Sequence, residues 1–134
     1  MKFVIFLGAT LMCAPAFAQP APTPNLLTQG LIGDPTKEVR MSVVTSLPGA
    51  SSPVHRHNGQ VFVYILSGSM VMQVKGKPAV TLTAGQTFYE NPDDIHVVSR
   101  NASKTEPARF LAVVIVNKNA PTSVPEKMPD MPGK

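Results

Sequence analysis

The chain has 134 residues and a small positive charge, with 12 lysines and arginines against 8 aspartates and glutamates and a formal net charge of +4. This length supports one compact domain and not two. The charges are scattered along the chain, which argues against a nucleic-acid-binding or membrane-binding role. The single cysteine, Cys13, lies in the leader described next, so neither disulfides nor thiol chemistry are expected in the folded domain.

The first 18 residues are typical of a secretory signal peptide. A basic residue, Lys2, precedes an apolar run over residues 3–12, and Ala16-Phe17-Ala18 provides a small-residue cleavage site. The apolar run is too short to span a bilayer comfortably. We therefore expect residues 1–18 to be cleaved and the mature protein to be periplasmic or secreted, with no membrane attachment after cleavage.

Short apolar segments separated by Gly, Pro, Asn and Ser dominate the rest of the chain. Residues 19–38 are predicted to form an extended N-terminal arm, because residues 19–24 alternate proline with small residues. Its mildly apolar part, residues 25–32, is either a short strand or a segment packed on the domain. Strands rich in Val, Ile, Phe, Tyr and Thr are predicted over residues 39–45, 61–66, 70–74, 79–83, 87–90, 95–99 and 109–116.

This order of strands favours an all-β fold. About seven short strands at this spacing are typical of a sandwich or a barrel, and not of a fold in which strands alternate with helices. The barrel is expected to occupy residues 39–117. Residues 118–134 contain four prolines and a repeated Met-Pro pair, and they are predicted to be a disordered tail.

The three histidines of the chain are its strongest functional signal. His55 and His57 are two residues apart, which on a strand places both side chains on one face, and His96 lies in a later predicted strand. Three imidazoles that converge from two strands can hold a metal ion and leave coordination positions open. The sequence therefore predicts one divalent transition metal, with Fe, Mn, Ni, Cu and Zn all compatible.

The spacing around these histidines resembles the two sequence motifs of the cupin superfamily. Five residues separate the first glycine from the first histidine, and ten separate the glycine from the histidine of the second motif. The matching positions are Gly49, His55, His57 and Gly68 in the first motif and Gly85 and His96 in the second. The likeness extends over about residues 39–116 and is greatest to small exported single-domain cupins. It implies a small antiparallel jelly-roll barrel with a metal at its open end. It also implies a homodimer, in which residues 25–32 would be an exchanged strand.

The chain departs from the first cupin motif at a metal ligand. The motif usually has a glutamate seven residues before Gly68, where this chain has Val61. Gln60 offers a neutral oxygen, but strand alternation points it away from the face of Val61 unless a bulge intervenes. Glu90 is the better candidate, since it faces inward if Phe88 is a core residue. The expected ligands are the three histidines with Glu90 or, as the lesser alternative, Gln60.

The chain also departs from the second cupin motif. The family pattern places an asparagine at position 100, where this chain has Arg100, and Asn101 falls one residue late.

Two classes of function fit these residues. The resemblance implies a metal-dependent enzyme, in its most specific form a quercetinase-like dioxygenase that acts on a small, oxygen-rich organic molecule. Glu90 would then be a catalytic acid or base. The alternative is a non-catalytic module that holds a metal or a small ligand, because the cupin fold hosts both kinds of protein.

Overall fold

The computed structural model describes residues 23–127, which form ten strands. Every strand pairing is antiparallel. Within this range no helix is long and apolar enough to cross a membrane. The strands are β1 (Asn25–Leu31), β2 (Asp34–Ser46), β3 (His55–Arg56), β4 (Gly59–Ser67), β5 (Ser69–Val74), β6 (Val80–Thr83), β7 (Thr87–Glu90), β8 (Ile95–Asn101), β9 (Ala108–Asn117) and β10 (Val124–Pro125).

The strands form two five-stranded sheets around one core. Sheet I has the order β1-β2-β9-β4-β7, and sheet II has the order β10-β3-β8-β5-β6. Both sheets contribute to a single cluster of buried side chains, in which Val61, Ile65 and Val114 of sheet I meet Met70 and Met72 of sheet II. Burying each aliphatic side chain of this size stabilises the fold by about 1.5–3 kcal/mol. The all-β jelly-roll prediction is confirmed.

Strand β4 shows how the sequence selects this architecture. Its side chains alternate between buried and exposed, with Val61, Val63 and Ile65 in the core and Phe62 and Tyr64 outside. Because successive side chains on a strand point to opposite faces, this period of two sets which residues enter the barrel. A one-residue slip of β4 would place the valines in solvent.

Gly68, the closing glycine of the first motif, is required by the backbone. It connects β4 to β5 with a φ of +71°, a conformation that residues with a Cβ rarely adopt. A Cβ at this position would also lie 2.6 Å from the carbonyl oxygen of Pro107. The tight β4–β5 turn therefore excludes a side chain on two grounds.

A β-bulge in β8 explains why the second motif appears shifted by one residue. Gln73 of β5 pairs with Val98, but Val74 pairs with His96, so β8 contains one extra residue between them. The bulge reverses the alternation, and Asn101 becomes buried while Arg100 is exposed. The Asn101 amide donates to the carbonyl oxygens of Ser46, Leu47 and Glu106. Asn101 thus ties together the ends of β2 and β8 and the loop before β9.

The structure differs from the predicted domain boundaries at both ends of the described range. The expected arm contains β1 and the start of β2, which pair with each other, so residues 25–38 are part of sheet I. Residues 118–127 were expected to belong to a disordered tail, yet they include β10, which pairs with β3. The predicted signal peptide and residues 128–134 lie outside the described residues.

Candidate metal site

Strands β3 and β8 bring the three predicted histidines together. His55 lies directly opposite His96 in the ladder, with ring centroids 5.1 Å apart. His57 follows β3, and its ring centroid is 4.9 Å from that of His55. One ligand atom from each of the three lies within 4.8 Å of the others. Nitrogen ligands at about 2.1 Å from a common ion are at most about 4.2 Å apart, so a small side-chain adjustment places all three on one metal.

Backbone carbonyl oxygens fix two of the imidazoles in the orientation that metal binding requires. His55 Nδ1 donates to Pro53 O at 2.7 Å, and His57 Nδ1 donates to Thr122 O at 2.7 Å. With the proton on Nδ1, the lone pair of each ring lies on Nε2. Such contacts from a second layer of residues orient metal-binding histidines in many proteins.

Burial keeps His55 in the neutral form that binds metals. Removal from water lowers the pKa of His55 below its ordinary value; the hydrogen bond to Pro53 opposes this shift, and the neighbouring His57 and His96 add to it. A neutral imidazole is the species that donates to a metal ion, since protonation occupies its lone pair. The local environment therefore favours the ligand form of His55.

Glu90 lies on the face that the first motif reserves for a carboxylate. It pairs directly with Val61 across the β4–β7 ladder, and paired residues in antiparallel strands share a face. Phe88, two residues earlier, packs against the core as the prediction required. The Glu90 carboxylate is buried, with Oε1 3.3 Å from His96 Nδ1 and Oε2 4.0 Å from His57 Nε2. The neighbouring strand thus places a carboxylate beside the position where Val61 lacks one.

The buried polar atoms at this site fit a bound cation. Glu90 is 2 % exposed and His96 is 3 % exposed. Within the described residues, Glu90 Oε2 and both ring nitrogens of His96 have no hydrogen-bond partner. Leaving a buried polar group without a partner costs about 1–3 kcal/mol. A metal ion bound to Glu90 Oε2 and to one ring nitrogen of His96 would remove part of this penalty, and three imidazoles with a carboxylate suit a divalent transition metal.

Gln60, the alternative ligand, lies on the other side of sheet I. Its side chain is exposed, and Nε2 donates to the Tyr89 hydroxyl at 3.0 Å. No bulge occurs between Gln60 and Val61, whose partners on β9 are the consecutive residues Ile115 and Val114. Strand alternation therefore keeps Gln60 away from the histidines, and the structure does not place it in the ligand set.

A C-terminal segment, residues 120–126, borders the site. Arg40 on β2 donates to Ala120 O at 2.7 Å and to Thr122 Oγ1 at 2.8 Å. Arg56, between the two site histidines, forms an ion pair with Glu126. These contacts hold the segment where Thr122 O meets His57 Nδ1.

The sequence did not predict that residues 120–126 contribute to the site. Thr122 acts through its backbone carbonyl, a group that every residue carries, and the surrounding prolines predicted disorder. The one available signal was the charge pair formed by Arg56 and Glu126, which are 70 positions apart.

The histidines and Glu90 open onto a cavity of about 610 Å³. Most of its surface is apolar, and Arg40 is its only cationic side chain other than the histidines within the described range. Arg40 forms an ion pair with Glu38, in which Arg40 Nη2 lies 2.6 Å from Glu38 Oε1. The apolar walls come from Val44, Val61, Val63, Met72, Phe110 and Val114. A cavity of this size and lining suits a small organic molecule.

Comparisons with known proteins agree with this geometry. A family model described as the cupin domain matches residues 42–114, which is more than half of the chain. A search of curated protein sequences finds no significant match.

Solved structures share the fold at low sequence identity. An uncharacterised conserved protein with a double-stranded β-helix domain from Klebsiella pneumoniae is 23 % identical, with a TM-score of 0.62 and coverage of 85 % of this chain and 90 % of that one. A DMSP lyase from Ruegeria pomeroyi is 21 % identical, with a TM-score of 0.57 and coverage of 65 % and 42 %. An oxalate oxidase in complex with the substrate analogue glycolate is 23 % identical, with a TM-score of 0.55 and coverage of 64 % and 45 %.

The last two comparisons concern longer proteins, since the matched region spans less than half of that lyase and of that oxidase. At these identities they show the fold alone. The domain match, the two antiparallel sheets and the three clustered histidines lead to one assignment. This chain belongs to the cupin superfamily.

Proposed function

We propose that this protein is an exported, metal-dependent dioxygenase that acts on a small, oxygen-rich organic molecule with an apolar body. It would hold one divalent transition metal through His55, His57 and His96. The observation that carries the proposal is the position of these histidines and Glu90 at the wall of a largely apolar cavity. Export rests on the leader sequence over residues 1–18.

Each group of residues at the site would have a distinct role in the reaction. When bound, the metal supplies Lewis acidity and, for a redox-active ion, the capacity to react with dioxygen. Three neutral imidazoles leave the charge of the ion uncompensated, which favours an enolate or similar anionic oxygen of the substrate. Glu90 Oε2, which has no hydrogen-bond partner among the described residues, would take the proton from the enol or hydroxyl group. The apolar walls would hold the body of the molecule and exclude water.

The cavity lining favours such a substrate over a small dicarboxylate. A dianion is held well by free cationic side chains, but Arg40 already pairs with Glu38 and with the C-terminal segment. Adding both atoms of dioxygen to one organic molecule also needs no external reductant. The shared fold with the oxalate oxidase carries no argument for the same substrate, and the metal-dependent chemistry rests on the clustered histidines.

The test is metal analysis followed by oxygen uptake. We expect stoichiometric metal in the purified protein and little in His55→Ala, and we expect oxygen consumption with a flavonol or a β-diketone. The control is Arg100→Met, which changes an exposed residue of β8. Unchanged metal content in His55→Ala would contradict the site. Metal and ligand binding without oxygen uptake across a broad panel would favour the alternative, a non-catalytic binding module. Cell fractionation tests the periplasmic or secreted location.

A further inference from the structure

The inward face of sheet I changes from apolar to polar along one row of paired residues. The row runs from Val63 on β4 through Ala112 on β9 to Ser42 on β2 and Asn25 on the edge strand β1. All four side chains line the cavity beside the metal site. The change occurs between β9 and β2, so the cavity has an apolar middle and a polar end.

This polar end lies far from Glu90. The neighbouring row on the same face joins Glu90 on β7 to Val61, Val114 and Arg40. Because neighbouring strands are about 4.8 Å apart, three strand spacings separate β7 from β2 by roughly 14 Å along the sheet. Ser42 is two residues beyond Arg40 on β2 and points to the same face. A ligand that contacts both Glu90 and Ser42 must therefore be elongated.

The groups at the polar end are neutral. Arg40, the cationic side chain of this part of the cavity, directs its guanidinium group to Glu38 and to the C-terminal segment. The half-buried Ser42 carries a hydroxyl group that can both donate and accept a hydrogen bond. Asn25 Nδ2 donates to Thr28 Oγ1 at 3.0 Å, and Asn25 Oδ1 can accept. One donor and two acceptors suit a hydroxyl group of a ligand better than an anion.

A further hydroxyl group faces the cavity from sheet II. Ser99 on β8 lines the cavity and is 7 % exposed. It lies two residues before Asn101, whose amide donates to the carbonyl oxygen of Ser46 at the end of β2. Ser99 is therefore near the half of β2 that carries Ser42. A purely apolar ligand would remove water from these hydroxyl groups without replacing its hydrogen bonds, which costs free energy.

The volume of the cavity fits an elongated aromatic molecule. About 610 Å³ lies within the range of sites for drug-sized ligands, and it is more than a two-carbon acid needs. Linked aromatic rings would pack against Val63, Ala112 and Val114, between the histidines and the polar end.

We propose that Ser42 and Asn25 bind a neutral hydroxyl group at the end of the substrate farthest from the metal. The substrate is then an elongated aromatic enol with a hydroxyl group on its outer ring. This inference rests on the proposed function, because the enol at the other end binds at the metal. A site that hydrogen-bonds a hydroxyl group rejects the analogue without it, since its own polar groups lose their partner. Ser42 thus determines specificity and takes no part in the chemical step.

The test is calorimetric titration of the Zn²⁺-loaded protein with two matched compounds, flavonol and the flavonol that carries a para-hydroxyl group on its aryl ring. Zn²⁺ has no redox chemistry, so binding is measured without turnover. We expect the wild type to bind the hydroxylated compound about tenfold more tightly. Ser42→Ala should remove this preference by weakening the hydroxylated compound alone. Ser42→Val, which continues the apolar row, should reverse the preference.

The matched control is Ser46→Ala, which changes a residue on the same strand and face that does not line the cavity. It should keep the tenfold preference. Unchanged Zn²⁺ content and unchanged affinity for flavonol would show that the Ser42 variants are folded.

Three outcomes separate this proposal from the proposed function. Equal affinity of the wild type for both compounds, or a preference that survives Ser42→Val, would overturn the role of Ser42 and leave the proposed function standing. If neither compound binds, the substrate class is wrong and this proposal is wrong with it. Binding that depends on Ser42, without oxygen uptake by the protein loaded with a redox-active metal, would support the binding position and contradict the enzymatic function.

Discussion

The two faces of sheet I are built from alternating residues of the same strands and differ in chemistry. On β7, Glu90 lies beside the histidines while its neighbour Tyr89 lies on the exposed side of the sheet. On β4, Val61 lines the cavity and Phe62 points outward. Adjacent positions on β7 therefore hold an exposed aromatic ring and a buried carboxylate. The period of two lets a short strand place the candidate site on one side and exposed aromatic side chains on the other.

The comparison also shows where polarity is tolerated. On the inward face Glu90 lies beside three imidazoles, where a bound cation would satisfy its charge, whereas an uncompensated buried charge would be costly. The exposed side of the sheet carries mainly apolar and aromatic side chains, such as Phe62 and Tyr64, together with Gln60, which donates to the Tyr89 hydroxyl. The predictions below test whether the two faces are independent, in order of decreasing effect.

Replacing His96 by alanine should have the largest effect and should act on the inner face alone. His96 is the one candidate ligand on β8, so His96→Ala should lower metal affinity by more than ~100-fold, beyond the range typical for residues that only orient a ligand. Titration calorimetry with Zn²⁺ or Mn²⁺ measures this. A metal affinity close to that of wild type would contradict the role of His96 as a ligand.

Glu90→Gln separates a ligand from a catalytic base. If Glu90 transfers a proton, oxygen uptake should fall by about 100-fold or more while metal affinity changes little. If Glu90 coordinates the metal, affinity and uptake fall together. Glu106→Gln is the control, because that side chain is exposed and lies outside the cavity. Full activity in Glu90→Gln would remove the residue from the mechanism.

Arg40→Met should have a smaller effect, and it probes how the C-terminal segment supports the site. Without Arg40 the contacts to Ala120 and Thr122 are lost, and the orientation of His57 by Thr122 O weakens. Metal affinity should fall by about 10-fold, as for other residues that position a ligand. Arg40→Lys keeps the charge beside Glu38 and should recover part of the affinity. An unchanged affinity in Arg40→Met would show that His57 needs no support from this segment.

Tyr89→Ser tests the residue next to Glu90 on the opposite face. Tyr89 is an exposed residue of the edge strand β7, on the side of sheet I away from the histidines, so truncating its ring should not disturb the metal site. Metal affinity should stay at the wild-type value. Thr87→Ser, which changes another exposed residue on the same strand and face, is the matched control. A loss of metal from Tyr89→Ser would contradict the division between the faces.

The sequence predicted the residues of the inner face better than those of the outer face. The three histidines could be found because His-x-His on a strand and a later histidine form a rare pattern with a defined chemistry. Glu90 followed from its parity with Phe88, although its pairing with Val61 needed the β4–β7 register. The apolar outer residues are ordinary strand residues when read singly. Only the register of five strands shows that Leu27, Phe62 and Tyr89 belong to one row.

By itself, the sequence determined the strand pattern, the three candidate ligands and the family likeness, because alternation and motif spacing are local properties. The tertiary structure decided what depends on distant residues meeting. It placed Thr122 behind His57, ordered the segment expected to be disordered, and introduced the β8 bulge that turns Asn101 inward. Backbone carbonyls and strand register carry no signature in residue type. Such features become visible only when the chain is folded.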